Sequence, residues 1–211
     1  KLFKEAYVTW AGPKGLTVDL GKFDTMVGYE SSNASANDNY SLGLLNVLAQ
    51  PVYHTGLRAK FPVGTMSGTA FVGTGWNEVE DINSEKTLGL SLSKSLNAKT
   101  NVSVSYIGGA EGDTTASGNN SNSFGGIGFA ATGKRTTHLF DVVGTYAASD
   151  RTKYGFNFDY ANALGQNGAS SGKWSGVGLY VHNQMNDKLK ATLRLEQFND
   201  TDGMRTGTVQ D

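Results

Sequence analysis

The strongest constraint on this chain is a strict two-residue alternation that recurs along its length. It is clearest where Leu189, Ala191, Leu193 and Leu195 alternate with Lys190, Thr192, Arg194 and Glu196. One face of that stretch is apolar and the other carries three charges and a hydroxyl. This is the signature of a β-strand, whose successive side chains point to opposite faces. The stretch before it answers in kind, with Val177, Leu179 and Val181 opposed by Gly176, Gly178, Tyr180 and His182. The polar turn Met185-Asn186-Asp187-Lys188 joins the two. One such hairpin suits a soluble sandwich as well as a membrane wall; the succession of hairpins separates them.

Five hairpins follow one another. Ala6, Val8 and Trp10 lead through Gly12-Pro13-Lys14-Gly15 into Leu16, Val18 and Leu20. A long Ser- and Asn-rich segment, Asp24 to Val52, carries a predicted short helix at Leu42 to Ala49. The second hairpin sets Leu57, Ala59 and Phe61 against Arg58 and Lys60, turns at Pro62-Val63-Gly64-Thr65 and returns through Ala70, Val72 and Trp76. After a polar loop at Asn77 to Ser84, Leu88, Leu90 and Leu92 turn at Leu96-Asn97-Ala98-Lys99 into Val102, Val104 and Tyr106. A Gly/Ser/Asn-rich loop runs from Gly108 to Lys134. The fourth hairpin places Phe140, Val142 and Tyr146 before Ala148-Ser149-Asp150-Arg151, then Tyr154, Phe156, Phe158 and Tyr160, and the loop Asn162 to Lys173 leads to the fifth.

Short and long connections therefore take turns along ten strands, as in an outer-membrane barrel with tight turns at one rim and long loops at the other. Greek-key sandwiches mix their connections instead. Strands of about ten residues tilted near 40° cross roughly 25 Å of hydrocarbon. No run of about 18 apolar residues exists, so no transmembrane helix is expected. A barrel hides its lipid face in alternation, which fits a mean hydropathy of −0.34. The net charge of −1 and the lack of a basic run argue against bulk attraction to nucleic acid. With no cysteine, the chain has neither disulfide nor thiolate metal site. The opening residues Lys1-Leu2-Phe3-Lys4-Glu5 lack the apolar core of a signal peptide.

On the apolar parity Leu57, Val104, Phe156 and Leu193 are expected to face lipid. Phe61, Tyr146 and Tyr154 near the short turns, with Trp76, Tyr106 and Tyr160 near the long loops, suit two interfacial aromatic girdles. Trp174 has the parity of Tyr180 and belongs inside.

Several segments carry a resemblance. GKFDTMVGYE (21–30), AQPVYHTG (49–56) and FNDTDGMRTG (198–207), with EAYVTW (5–10) and the Leu/Arg/Leu/Glu strand at 193–196, resemble those of the OmpL-like β-barrel porin-2 family of Gram-negative outer membranes. The likeness runs in order along nearly the whole chain. It implies a general diffusion channel for small solutes and names no particular solute. Family members continue with further strands, so the expectation is one β-barrel domain over 1–211, incomplete at one or both ends.

Other chemistries find little support. Gly128 to Lys134 has the spacing of a phosphate-binding loop, but Arg135 stands where Ser or Thr is required. His54, His138 and His182 share no metal-ligand spacing. Spacing alone does not decide on a Ser/His/acid hydrolase. Asp200-Thr201-Asp202-Gly203 resembles part of a calcium loop without its third acidic ligand or closing Glu, and reads as a solvated turn. Thr25, Glu30 and Tyr40 lie in a segment that either folds into the lumen or stays a disordered outer loop.

The sequence thus predicts an all-β, transmembrane, antiparallel up-and-down barrel forming a water-filled channel for passive diffusion of ions and small polar solutes. No catalysis, cofactor or metal is expected; partners would be membrane lipid, the solutes themselves and further copies of the chain. The expected pore-lining residues are Asp19, Arg58, Lys60, Asp141, Asn157, Asp159, Tyr180, His182, Arg194 and Glu196, because opposed charges across a lumen sort solutes by charge and dipole. The alternatives are a non-conducting structural or adhesive barrel, whose inward charges pair off in a plugged lumen, and a soluble carbohydrate-binding β-protein.

Overall fold

A computed structural model describes residues 3–81, 83–112 and 133–207. Ten strands form one antiparallel sheet in which each pairs with its neighbours in sequence. They are β1 (Ala6–Ala11), β2 (Thr17–Asp24), β3 (Tyr53–Val63), β4 (Met66–Gly73), β5 (Thr87–Asn97), β6 (Thr100–Glu111), β7 (Arg135–Ala147), β8 (Thr152–Gly165), β9 (Gly172–Asn186) and β10 (Leu189–Asn199). The five short turns fall where the sequence places them. Two long connections are shorter than expected, because β6 runs on to Glu111 and β8 and β9 extend to Gly165 and from Gly172. The predicted helix is a single π-helical turn, Leu45–Ala49.

The register turns the alternation of each strand into continuous bands. Leu20, Leu57, Val72 and Leu88 stand side by side on the outer face, as do Ala59, Ala70, Leu90, Tyr106, Phe140 and Tyr160. Leu57, Val104, Phe156 and Leu193 are all exposed on this face. Charges of the same parity, such as Lys22, Lys94 and Lys173, sit towards strand ends. A soluble surface does not expose so large a contiguous apolar band.

The sheet is curled around segment 24–52. Asp24 closes β2, Tyr29 stacks on Tyr180 of β9, and Glu30 pairs with Arg194 of β10. From β2 to β10 is eight strand spacings, about 38 Å if flat. Six residues of chain reach at most about 21 Å. Only a trough brings both ends of the sheet to one short stretch of chain. The trough is not closed, since β1 pairs with β2 alone and β10 with β9 alone among the described residues.

The apolar core lies inside, towards the rim of the long connections. Ile107, Leu139, Ala161 and Trp174 form one lateral row across β6 to β9. Phe23, Val27, Leu45, Ala49, Phe71, Trp76 and Met204 pack onto them. Trp76 thus departs from the girdle assignment. β4 ends at Gly73, before it, and the chain turns inward so that the Trp76 ring meets Trp174 edge-on, with centroids 6.0 Å apart. Tyr146 and Tyr154 do stand exposed on the outer face, stacked at 6.4 Å.

Candidate functional site: the inner face and its docked segment

Below the apolar row, the inner face is written in three polar rows. The first reads Ser91, Ser105, Asp141, Asp159 and Gly176 from β5 to β9. The second reads Ser93, Ser103, Val143, Asn157, Gly178 and Glu196 from β5 to β10. The third reads Ser95, Asn101, Thr145, Gly155, Tyr180 and Arg194. Hydroxyls and amides occupy β5 and β6, while ionisable and aromatic groups occupy β7 to β10. Segment 24–52 docks on the second group.

Each docking contact answers an orphaned backbone donor or a buried charge. The Gly28 N–H donates to Asp141 Oδ2 at 3.2 Å and the Tyr29 N–H to Asn157 Oδ1 at 2.9 Å. Arg194 reaches Glu30 of the segment at 2.6 Å and Glu196 at 3.1 Å. Glu196 in turn accepts from the N–H groups of Leu44 and Leu45, at 2.9 and 3.2 Å, and so caps the π-helical turn. An anion at such an end satisfies donors that have no partner within the helix. Glu30 accepts the Gly43 N–H at 2.6 Å.

Tyr29 lies flat on Tyr180, with centroids 4.0 Å apart. Its ring sits over Gly155, where any Cβ would come within 2.4 Å of it. Burial, then the charges of Asp38 and Glu30, push the Tyr29 phenol up to about 12, so it stays a neutral donor. Its hydroxyl lies 2.8 Å from His182 Nε2, and His182 Nδ1 lies 3.1 Å from Asp38. Asp38 also pairs with Lys190. Burial favours the neutral acid at Asp38, but the Lys190 hydrogen bond and the charges of His182 and Lys190 outweigh it and hold the carboxyl below its ordinary range. Gly28 adopts φ +91°, and its missing side chain leaves room for Gln50. Any L-residue there would be strained as well as crowded.

The base of the segment is fixed separately. Trp174 Nε1 donates to the Ala49 carbonyl at 2.8 Å. Arg205 Nε donates to the Leu48 carbonyl at 2.6 Å, with its guanidinium over Trp76 and Trp174 at 5.6 and 5.4 Å. Burial pushes Arg205 down to about 10, against the pull of Asp200 and Glu111, so it remains a cation at neutral pH. At the expected solvated turn, Thr201 and Asp202 are exposed, while Asp200 is buried. The Asp200 carboxylate accepts the N–H groups of Met204, Arg205 and Thr206 at 2.7 to 2.8 Å.

The sequence-predicted residues therefore divide. Asp141, Asn157, Asp159, Tyr180, His182, Arg194 and Glu196 come together as the seat of the segment. Asp19 and Arg58 form a separate buried pair, with Arg58 Nε at 2.9 Å and Thr9 also donating to Asp19 at 2.6 Å. Lys60 joins them at 3.2 Å but keeps 47% of its side chain exposed. Of the loop candidates, Thr25 lies 3.2 Å from His54, Glu30 is buried and Tyr40 is fully exposed. Of 128–134, only Gly133 and Lys134 are described, and Lys134 pairs with Glu85. Among the described residues, no three His, Cys, Asp or Glu side chains are grouped to hold a metal. The inward serines of β5 and β6 carry no charge to mark them, and only the alternation of the run Leu88-Gly-Leu-Ser-Leu-Ser-Lys-Ser signals them.

The stretches whose residues resemble a family meet one another in the fold. Residues 21–30, 49–56 and 198–207 meet at Phe23 beside His54, Gly28 against Gln50, and Met204 in the apolar core. The family model described as "Putative beta-barrel porin-2, OmpL-like" matches residues 1–211. The chain belongs to this family. The ten up-and-down strands and the apolar outer band of this chain agree with that membership. No curated protein and no solved structure matches the chain.

Proposed function

We propose that this OmpL-like porin forms a passive diffusion channel across the outer membrane of a Gram-negative cell, carrying ions and small polar solutes without catalysis or cofactor. The observation that carries this reading is the two-sidedness of one sheet: an apolar outer band over all ten strands and an inner face of hydroxyls, amides and charges. Lipid matches the first and water the second. Unpaired strand edges are not tolerated in hydrocarbon. The free sides of β1 and β10 therefore meet further strands, and the lumen is wider than ten strands alone would enclose.

Segment 24–52 narrows this lumen on the β7–β10 side. The space left between Ala36–Asn39 and the wall is a polar cavity of about 180 Å³ lined by Tyr29, Lys153 and His182, among others. At roughly 30 Å³ per water it holds a handful of molecules and carries no free flow. Solutes pass on the serine side. Most of the inward charges neutralise one another, so selectivity falls to those with free surface, Lys60 before Arg58.

Purified protein in a planar bilayer under a salt gradient tests this. Discrete conductance steps are expected, with a reversal potential that moves toward cations in Lys60→Glu and much less in Lys99→Glu. Lys99 lies in an exposed short turn, where salt screens it within about 10 Å at 0.1 M. A folded, bilayer-inserted protein without conductance would favour the non-conducting structural barrel, the reading that the seated segment and its paired charges favour.

A further inference from the structure

Asp141 and Asp159 face each other across β7 and β8 in direct register, and both are fully buried. Asp141 Oδ2 accepts from the Gly28 N–H at 3.2 Å and from Asn157 Nδ2 at 2.9 Å. Asp159 Oδ2 accepts from the same Asn157 amide, at 3.4 Å. The Oδ1 atom of each is buried with no hydrogen-bond partner. The groups that face them are Ser105 of β6, Tyr180 of β9, Glu196 and Arg194 of β10, and Glu30 of the segment. Arg194, the one cation in that set, is already divided between Glu30 and Glu196. Two carboxylates this close in a dry site cannot both ionise without compensation.

We propose that Asp141 and Asp159 share a single proton, and that this proton is a latch holding segment 24–52 against the wall. The proton resides on Asp159, because the Gly28 and Asn157 donors favour the ionised form of Asp141. The Asp159 hydroxyl then donates to Asp141, filling the two unpartnered oxygens at once. Gly28 is the segment's own contact with this pair. Loss of the proton places two anions beside the Gly28–Glu30 turn, next to the negative Glu196 and Glu30, and drives the turn off the wall. The sign follows: the segment is seated at low pH and released as pH rises. Release of one proton makes the released state about tenfold more favourable for each pH unit above the midpoint.

The test reads the segment and not conduction, so it stands apart from the channel assignment. Glu30 is the only glutamate between residues 24 and 52. It is buried, whereas Glu80 is exposed. Detergent-folded protein is cut with a glutamate-specific protease from about pH 5 to about pH 9, and cleavage after Glu30 is divided by cleavage after Glu80. The ratio is expected to rise with pH, approaching tenfold per unit. Asp159→Asn, which keeps a donor but cannot titrate, is expected to hold the ratio low and flat, and Asp141→Asn serves in its place if that variant does not fold. His182→Asn is expected to retain the rise. A flat ratio in the unmodified protein, a rise that survives in the Asp variants, or a rise abolished by His182→Asn would overturn the latch. So would protection of Glu30 at high pH by millimolar calcium, which would make the pair a metal bridge.

Discussion

The two halves of the inner face are built from one strand geometry and behave in opposite ways. On β5 and β6, Ser91, Ser93, Ser95, Ser103 and Ser105 stand in rows of short hydroxyls, bonding locally as Ser105 does to Ser91 at 2.9 Å. On β7 to β10 the same rows continue into Asp141, Asp159, Asn157, Tyr180, Arg194 and Glu196. A serine is satisfied by its neighbour or by water and offers no charge to pair. A buried carboxylate or guanidinium is costly unless paired. Segment 24–52 therefore settles on the charged half, while on the serine half Ser93 and Ser95 stay exposed and Ser91 and Ser105 are buried. In the proposed channel, the charged positions are anchors and the bland ones are the path.

The largest effect expected from that contrast comes at its firmest anchor. Arg194→Ala leaves the almost fully buried Glu30 and Glu196 side chains without their cation. Urea titration should register a loss of about 3–5 kcal/mol. An unchanged midpoint would mean that the seat does not hold the fold. The outer face should show no such division between halves. Leu193→Arg over the docked side and Val104→Arg over the serine side are each expected to cost about 2–4 kcal/mol, and a large difference between them would sharpen the comparison into one of lipid depth.

A smaller cost is expected inside the seat itself. Tyr29→Phe keeps the ring and loses only the hydroxyl's contact with His182, whereas Tyr29→Leu also loses the stack on Tyr180, about 0.5–1.5 kcal/mol beyond burial, measured as a shift in the same titration. Ser93→Ala on the open half should stay within about 0.5 kcal/mol. The smallest effect belongs to acid. Because the Asp38 carboxyl lies below its ordinary range in the folded protein, its contribution is complete above that range and lost as pH falls through its folded value. Lys190→Met is expected to reduce the acid sensitivity of the 36–39 stretch, followed by chymotryptic cleavage near Tyr40.

The wall is legible in the sequence because a period of two is a local property. Leu189 to Glu196 announces both its faces without reference to any other strand, and Asn186-Asp187 announces the turn. The seat is not legible in that way. Glu30 and Arg194 lie 164 residues apart, and nothing near either one names the other. Parity assigns Asp19, Arg58 and Asp141 to the inner face but not to a state, whether paired, docked or free in water. Trp76 shows the limit from the other side. Its parity on an extrapolated β4 is outward, yet the strand stops at Gly73 and the chain turns the ring into the core beside Trp174. The inward serines are not legible as a site, because a hydroxyl on an alternating strand carries no charge and no ligand spacing.

Cysteine accessibility tests the central claim most directly, and a chain without cysteine makes it clean. Ser93→Cys and Asn157→Cys lie in the same inner row, one on each half. Each variant is inserted in a planar bilayer and exposed to a charged, water-borne thiol reagent while conductance is recorded. Rapid modification and a stepwise fall in conductance are expected for Ser93→Cys, and slow or no change for Asn157→Cys beneath Tyr29. Rapid block at Asn157→Cys with none at Ser93→Cys would contradict the claim, and would place the path on the half assigned here to the docked segment.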